Sequence, residues 1–441
     1  MFILYDFIFL VFALVYLPVY LFKGKFHRGF LNRLGILPKN LNLDSPVWIH
    51  AVSLGEAASV RILAQELRKV YPGKRFVFST VTSTGNKIAA SMANAGDLVI
   101  YLPLDFSFTV KSVIDKINPS LFVIVETEIW PNLISRLYKK GVPVVTVNGR
   151  ISDISFQGYF AARFLIKPIL GKIRLFCAQT EIDAERLRRL GVSAEKITVT
   201  GNLKFDKSDY ADSCAGQPGI SREQQGRASC RLKMGLASQD RLLVAGSTHS
   251  GEEEILLSAY KNLLKEFPGL RLLIAPRHPE RAVGLEKAVF KKGFCALRIS
   301  RLNQQSGNPE NPQTVFILDT VGILMDFYAA ADIVFVGGSL IKKGGHNILE
   351  PASLGKPVIF GPHMFNFRDI AGIFLKNNAA LRIETQEGLE AAVRELLKDG
   401  YKAGQLTRNA SMVIAMNRGA ALKTVEAIKK LSLFTGGLAR P

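Results

Sequence analysis

The chain has 441 residues, 48% of them hydrophobic, which is enough for two packed domains and too apolar for a chain that is mainly disordered. Lys and Arg outnumber Asp and Glu by 57 to 37, a formal net charge of +20, which points to an anionic partner: nucleic acid, an anionic membrane surface or a phosphorylated substrate. The basic residues are dispersed, with no RNA-binding aromatic pattern and no metal-finger spacing, and this argues against nucleic acid. The four cysteines, Cys177, Cys214, Cys230 and Cys295, lie far apart, so they read as free thiols rather than a disulfide frame or a zinc site.

The first element is a hydrophobic segment. Residues 1–22 carry Asp6 as their only charge and match the short end of the length needed to cross a bilayer. No small-residue cleavage site follows, which disfavours a removable signal peptide. Lys23, Lys25, Arg28 and Arg33 come directly after, so the positive-inside rule keeps the rest of the chain cytoplasmic. The expectation is an N-terminal membrane anchor over 1–22; the alternative is a buried helix of a soluble domain.

Repeated β-then-α units follow. Apolar runs predict strands at Val47–Val52, Phe76–Val81, Leu121–Val125, Val142–Val147, Leu175–Ala178 and Ile197–Thr200. A second series covers Arg241–Ala245, Arg271–Ala275, Val315–Leu318, Ile333–Val336 and Pro357–Phe360. Continuous Val/Ile/Leu/Phe runs suit parallel strands buried on both faces, and helical patterns such as Ala57–Val70 and Glu253–Phe267 lie between them. The predicted fold class is therefore α/β, with two doubly wound, Rossmann-like domains at 23–206 and 238–406. Residues 207–237, polar and rich in Gly, Ser and Gln, read as a linker, and 407–441 as a C-terminal helix crossing back onto the first domain.

In open α/β sheets ligands bind beyond the carboxyl ends of the strands, and the unusual polar residues fall there. The first half carries His50 to Glu56, including Ser53 and Gly55, then Glu126-Thr127-Glu128-Ile129-Trp130-Pro131-Asn132, Asn148-Gly149-Arg150, and Gly201 to Asp206 with Lys204. The second half carries Gly246-Ser247-Thr248-His249, Pro276-Arg277-His278-Pro279 and Asp319-Thr320. Ser250 and Glu253 have capping-box spacing. The stretch Phe335–Pro362 reads as a buried strand, a glycine-rich loop with Gly338, Gly344 and Gly345, a helix start and another strand. Backbone amides at Gly344 and Gly345 would approach an anion at the helix N-terminus, and Asn347 and Glu350, three positions apart, share a helix face suited to a nucleotide's ribose. That stretch resembles the donor-binding half of GT-B glycosyltransferases.

Taken together, HAVSLGE, ETEIWPN, NGR, GNLKFD, GSTH followed by GEEE, PRHPER and GGHNILEP resemble the 3-deoxy-D-manno-octulosonic acid (Kdo) transferases of lipopolysaccharide synthesis. The resemblance covers nearly the whole chain. It implies a GT-B fold whose two domains face a cleft, CMP-Kdo as donor, lipid IVA, the lipid A precursor, as acceptor, and an inverting reaction with no metal and no cofactor. It also implies an inner-membrane enzyme with its catalytic domains on the cytoplasmic side. Glu56 is the expected general base, deprotonating the acceptor hydroxyl as it attacks the anomeric carbon. Expected donor contacts are Arg277, His278, Pro276, Gly338, Gly344, Gly345, Asn347, Glu350, Ser247 and Thr248, with His278 stacking on cytosine or meeting phosphate. Expected acceptor or anion contacts are Ser53, Gly55, Glu126, Glu128, Arg150 and Lys204. Glu126 and Glu128 alternate at a strand end, so they would point to opposite sides if the strand continued, and one of them is as readily structural. Asp319 has no assigned role. Two competing readings are a GT-B enzyme using a UDP-sugar and a non-catalytic nucleotide- or lipid-binding module.

Overall fold

The structure is a computed structural model that describes residues 5–7, 9–11, 15, 30–38, 41, 43–206, 222–302 and 313–434. The chain divides into two units, Met1–Lys207 with Asn417–Pro441, and Ser208–Met416. Among the described residues, each unit is built on one seven-stranded parallel sheet.

In the first unit the strands are β1 (Val47–His50), β2 (Phe76–Thr80), β3 (Leu98–Tyr101), β4 (Leu121–Val125), β5 (Val144–Gly149), β6 (Leu175–Ala178) and β7 (Ile197–Val199). Their order is β3-β2-β1-β4-β5-β6-β7, which reverses direction between β1 and β4. The central strands are buried along their whole length because both faces are covered. Trp48, Phe122, Ile124 and Val144 pack on one face, and Val47, Ile49, Val123 and Val145 on the other.

In the second unit the strands are β8 (Arg241–Thr248), β9 (Leu270–Pro276), β10 (Cys295–Arg298), β11 (Thr314–Ile317), β12 (Ile333–Val336), β13 (Val358–Phe360) and β14 (Leu381–Arg382). Their order is β10-β11-β9-β8-β12-β13-β14, reversing between β8 and β12. Leu243, Ala245, Leu272, Ile274, Val315 and Phe335 form part of its core. The reversal points are the crevices where doubly wound sheets bind ligands.

Two segments differ from expectation. The polar stretch 207–237 contains a helix, Arg222–Lys233, that packs on helix Leu324–Ala330 of the second unit. Its anchors are Cys230 and Met234, both buried, and Arg231, which donates to Asp332 at 3.2 Å and to the Asp240 carbonyl at 2.7 Å. Residues 207–221 lie outside the described residues. The crossing helix does not begin at residue 407: helix Gly400–Asn417 stays with the second unit almost to its end, Gly419 turns at φ 88°, and helix Ala420–Phe434 lies on the first. There Ala420, Ala421, Val425 and Ile428 close one face of the first sheet. Asp206 starts this last helix, accepting the amides of Gly419 at 2.7 Å, Ala420 at 3.3 Å and Ala421 at 2.6 Å.

The anchor expected over 1–22 falls largely on residues outside those described. Among the described residues no helix is long and apolar enough to cross a membrane. Asp6, the one charge in that segment, is taken up by the first unit. It accepts from the Ser107 amide at 3.1 Å, the Ser107 hydroxyl at 2.5 Å and the Asn132 side chain at 2.7 Å.

Candidate functional site

At the reversal point of the first sheet, β1 runs into helix Leu54–Ser59, with Ser53 as its N-cap. The Glu56 carboxylate folds back over this loop, accepting the Val52 amide at 2.8 Å and the Ser53 hydroxyl at 2.8 Å. The helix predicted from Ala57 to Val70 is two helices, broken at Val60 where φ is −90° and ψ 3°. Glu56 is half-buried, and burial followed by the charge of Glu126 pushes its carboxyl up to about 7. The bonds from Ser53 and Val52 oppose that rise, and Glu128 adds to it.

Glu126 and Glu128 do not alternate as a continued strand would require. β4 stops at Val125, and Glu126 adopts φ 61° while its amide donates to the Val147 carbonyl at 2.9 Å. Left-handed backbone at a non-glycine residue is strained and concentrates at functional sites. The turn brings both acids to bear on Glu56, and Glu128 is itself raised by burial and then by Glu126. The result is three neighbouring carboxylates at the reversal point, with Gly55 exposed on the same loop.

The supporting residues were partly missed from sequence. Helix Pro131–Lys139 starts with Pro131 in its first position, and buried Asp105 accepts the amides of Asn132 at 3.0 Å and Leu133 at 2.9 Å. Burial lifts Asp105 to about 7. His50 is fully buried, with Nδ1 3.0 Å from the Ser79 hydroxyl, and burial pushes it down to about 4; it is part of the core. Arg150 directly follows β5, its backbone against the Glu126–Glu128 turn, and Lys204 lies in the loop after β7. Thr127 donates to the Arg150 carbonyl at 2.8 Å, and the Lys204 amide donates to Asn202 at 2.9 Å.

In the second unit three segments meet at the reversal point: Ser247 to His249 at the end of β8, Arg277 to Pro279 after β9, and Gly337 to Asn347 after β12. The backbones of β8 and β12 approach closely. A Cβ at Gly246 would overlap the Tyr328 hydroxyl, and one at Gly337 would lie 2.6 Å from the Ser247 carbonyl. Ser247 turns at φ 56° in a bulge that shifts the β8–β9 register.

Glu252, one of a run of three acids whose role the sequence leaves open, dominates this junction. Completely buried, it accepts the amides of Gly338 at 2.6 Å, Ser339 at 2.9 Å, Leu340 at 2.9 Å and His249 at 3.1 Å. The Gly338 amide is therefore committed to a carboxylate of the protein and is not open to a donor phosphate. Glu253 is not the cap partner of Ser250: Gly251 starts helix Glu252–Leu263 and Glu254 accepts its amide at 3.0 Å. Glu253 accepts the Thr248 hydroxyl at 2.9 Å and both guanidinium arms of Arg281, at 3.0 and 2.7 Å. Thr248 is buried and its carbonyl takes the Arg277 amide at 2.9 Å, so it braces the loop.

Gly344 and Gly345 are also not at a helix N-terminus. The helix begins at Leu349 and has five residues. The two glycines have φ of 95° and 69°, and a Cβ on either would run into the Met364–Asn366 segment. They are glycines because of that close packing. Asn347 and Glu350 bond to each other at 3.2 Å, and Asn347 accepts the Leu349 amide at 3.1 Å. Asp319, unassigned from sequence, caps a turn through the Ser300 amide at 3.1 Å and its hydroxyl at 2.5 Å. Arg277 and His278 are exposed at the end of β9, beside Pro276. The His278 ring lies edge-on to His249, with centroids 6.1 Å apart. Lys343, not singled out from sequence, adds its charge to this group.

Two Rossmann-like units, each with polar residues gathered at the sheet's reversal point, define a two-domain, doubly wound α/β protein. A glycosyltransferase from Rickettsia africae shares this fold, with a TM-score of 0.57 at 15% identity over 89% of this chain and 100% of that one. The family model for 3-deoxy-D-manno-octulosonic-acid transferase (kdotransferase) matches residues 28–207. A 3-deoxy-D-manno-octulosonic acid transferase from Haemophilus influenzae is 36% identical over 387 residues, 87% of this chain and 86% of its own. Another from Chlamydia pneumoniae is 31% identical, covering 90% and 88%. The chain belongs to the Kdo transferase family, glycosyltransferases that transfer Kdo in lipopolysaccharide synthesis.

Proposed function

We propose that the chain moves Kdo from CMP-Kdo to lipid IVA with inversion at the anomeric carbon, with Glu56 as the general base. The observation that carries this reading is the carboxyl of Glu56, pushed up to about 7 by burial and by Glu126 at the β1/β4 reversal point. A base poised near neutrality is more basic than an ordinary carboxylate yet still substantially ionised at pH 7. The acceptor hydroxyl attacks the anomeric carbon as its proton passes to Glu56. The bond from that carbon to the phosphate oxygen breaks, and CMP leaves.

Arg277 and Lys343, at or beside the second sheet's reversal point, supply positive charge for the departing phosphate, so no metal is required. Asn347 and Glu350 remain the proposed ribose contacts. The protein's +20 charge and the apolar segment 1–22 support a single-pass inner-membrane anchor, catalytic units on the cytoplasmic side and docking to anionic lipid.

The test is turnover of purified protein with CMP-Kdo and lipid IVA in detergent micelles, in the presence of EDTA, with products read by mass spectrometry. One or more Kdo units should appear on lipid IVA, and UDP-sugars should not substitute. A saturating, reversible requirement for Mg²⁺, or turnover only with a UDP-sugar, would contradict the reading.

A further inference from the structure

His249, after β8, and His346, after β12, meet across the reversal point of the second sheet. Their Nε2 atoms are 3.0 Å apart, and their rings are 9° from parallel with centroids 5.3 Å apart. Two imidazole nitrogens at this separation hold one proton between them. In the neutral pair one ring's N–H donates to the other's lone pair. A further proton is accommodated on the outer nitrogen of the donating ring, which makes that bond charge-assisted. A second further proton would set two N–H groups against each other and break the pair.

The pair is built in. Glu252 fixes the His249 amide at 3.1 Å and the Gly338 amide at 2.6 Å. A Cβ on Gly338 would sit 3.0 Å from the His346 ring and 3.5 Å from that of His249, so the loop backbone lies directly against both rings. Cations and acids both face the pair. Arg277 and His278 act on His346; His278, Lys343 and Arg281 act on His249. The acids are Glu253, paired with Arg281, Glu280, 3.5 Å from His278, and buried Glu252, bonded to the His249 amide, which leaves Arg277 and Lys343 as the cations without a carboxylate among the described residues of this group. Burial and these cations together hold both rings below the ordinary histidine range, His346 at about 4, so the unliganded pair is neutral at pH 7.

We propose that the phosphate of a cytidine nucleotide is bound here with uptake of one proton, which His249 and His346 carry between them. This rests on the reading of the second unit as the CMP-Kdo-binding unit. An anion placed among Arg277, Lys343 and the imidazoles offsets the repulsion that keeps the pair neutral. The bound state then holds more protons than the free state, and affinity falls as pH rises. One linked proton gives at most about a tenfold change in affinity per pH unit. In the transfer reaction the protonated pair would hold the departing CMP phosphate and would lose its proton as CMP is released.

The test is calorimetric titration of the full protein with CMP from pH 5.5 to 8.5, in two buffers of different ionisation enthalpy, with EDTA present to keep divalent ions from bridging the rings. The phosphate of CMP itself titrates near pH 6, equally for every protein variant, so the quantity read is the difference between wild type and variants. Wild type should take up more protons than His346→Gln or His249→Asn, with a difference approaching one below pH 7. Equal uptake in wild type and in variants that bind CMP would overturn the proposal. Absence of CMP binding by wild type at every pH would instead overturn the donor-domain reading, and the proposal with it. A second measurement needs no variant: the ring-carbon NMR signals of His249 and His346 should titrate at higher pH with CMP bound than without. Unchanged titration on saturation with CMP would also overturn it.

Discussion

The Glu252 carboxylate accepts the Gly338 amide at 2.6 Å, joining two loops that are 86 residues apart in sequence. Two further amides of the same loop, Ser339 and Leu340, bond to it at 2.9 Å each. A glycine loop that would otherwise offer its amides to a ligand is thus shaped by an acid of the protein. Glu252→Gln keeps the volume but turns an NH₂ group toward these donors. Lost charged hydrogen bonds of this kind are worth about 1.5–3 kcal/mol each. CMP affinity should fall by at least about tenfold, measured by calorimetry, with the fold intact by circular dichroism. Unchanged affinity would mean that the loop holds its shape without Glu252.

Gly246 and Tyr328 fit only because Gly246 lacks a Cβ, since that atom would overlap the tyrosine hydroxyl and approach its ring carbons within 2.5–2.7 Å. Gly246→Ala should destabilise the protein by about 1–3 kcal/mol, the usual cost of overpacking. Adding Tyr328→Phe should restore only part of this, because the ring remains. Denaturant unfolding of the two variants checks both statements.

Asp206 closes GNLKFD, and its structural role is to cap helix Ala420–Phe434 through three amides. Asp206→Ala should cost about 1–2 kcal/mol. Asp206→Asn, which can still accept, should cost less. Protection of the amides from Gly419 to Ala421 against hydrogen exchange should fall in Asp206→Ala.

Transfer should depend on pH through Glu56. The base acts ionised, so kcat should rise with pH along a limb centred at about 7. Glu126 is the second-largest upward influence, after burial. Glu126→Gln should therefore move that limb to lower pH while sparing CMP affinity. With three carboxylates close together the limb belongs to the group as a whole. The effect on stability has the opposite sense: a carboxyl raised on folding favours the native state below its unfolded pKa of about 4.3, and this contribution is lost as pH rises through about 7.

The doubly wound character of both units was legible because the central strands, such as Leu121–Val125, are continuous apolar runs buried on both sides. Strands β3, β10 and β14 were not legible: Leu98–Tyr101 is half-exposed over its first two residues, Cys295–Arg298 ends in arginine, and Leu381–Arg382 has two residues. The position of Glu56 was readable from its motif, but the turn at Glu126 was not, since nothing local announces a positive φ at a glutamate. Glu252 was hidden in a run of three acids whose partners lie far along the chain. The placement of Gly344 and Gly345 at a helix N-terminus was not legible, because glycine serves close packing as well as anion binding and the packing partner, Met364–Asn366, lies farther along the chain.

The most direct test of the central claim, that Glu56 is the base of Kdo transfer, is the single-turnover rate of Glu56→Gln with CMP-Kdo and lipid IVA at pH 7.5, with CMP affinity measured on the same preparation. Loss of the base should lower the rate by at least about a hundredfold, the usual scale of general-base contributions. CMP affinity should remain at the wild-type value, because the residues proposed to hold the nucleotide belong to the second unit. A variant that transfers Kdo at close to the wild-type rate would contradict the account.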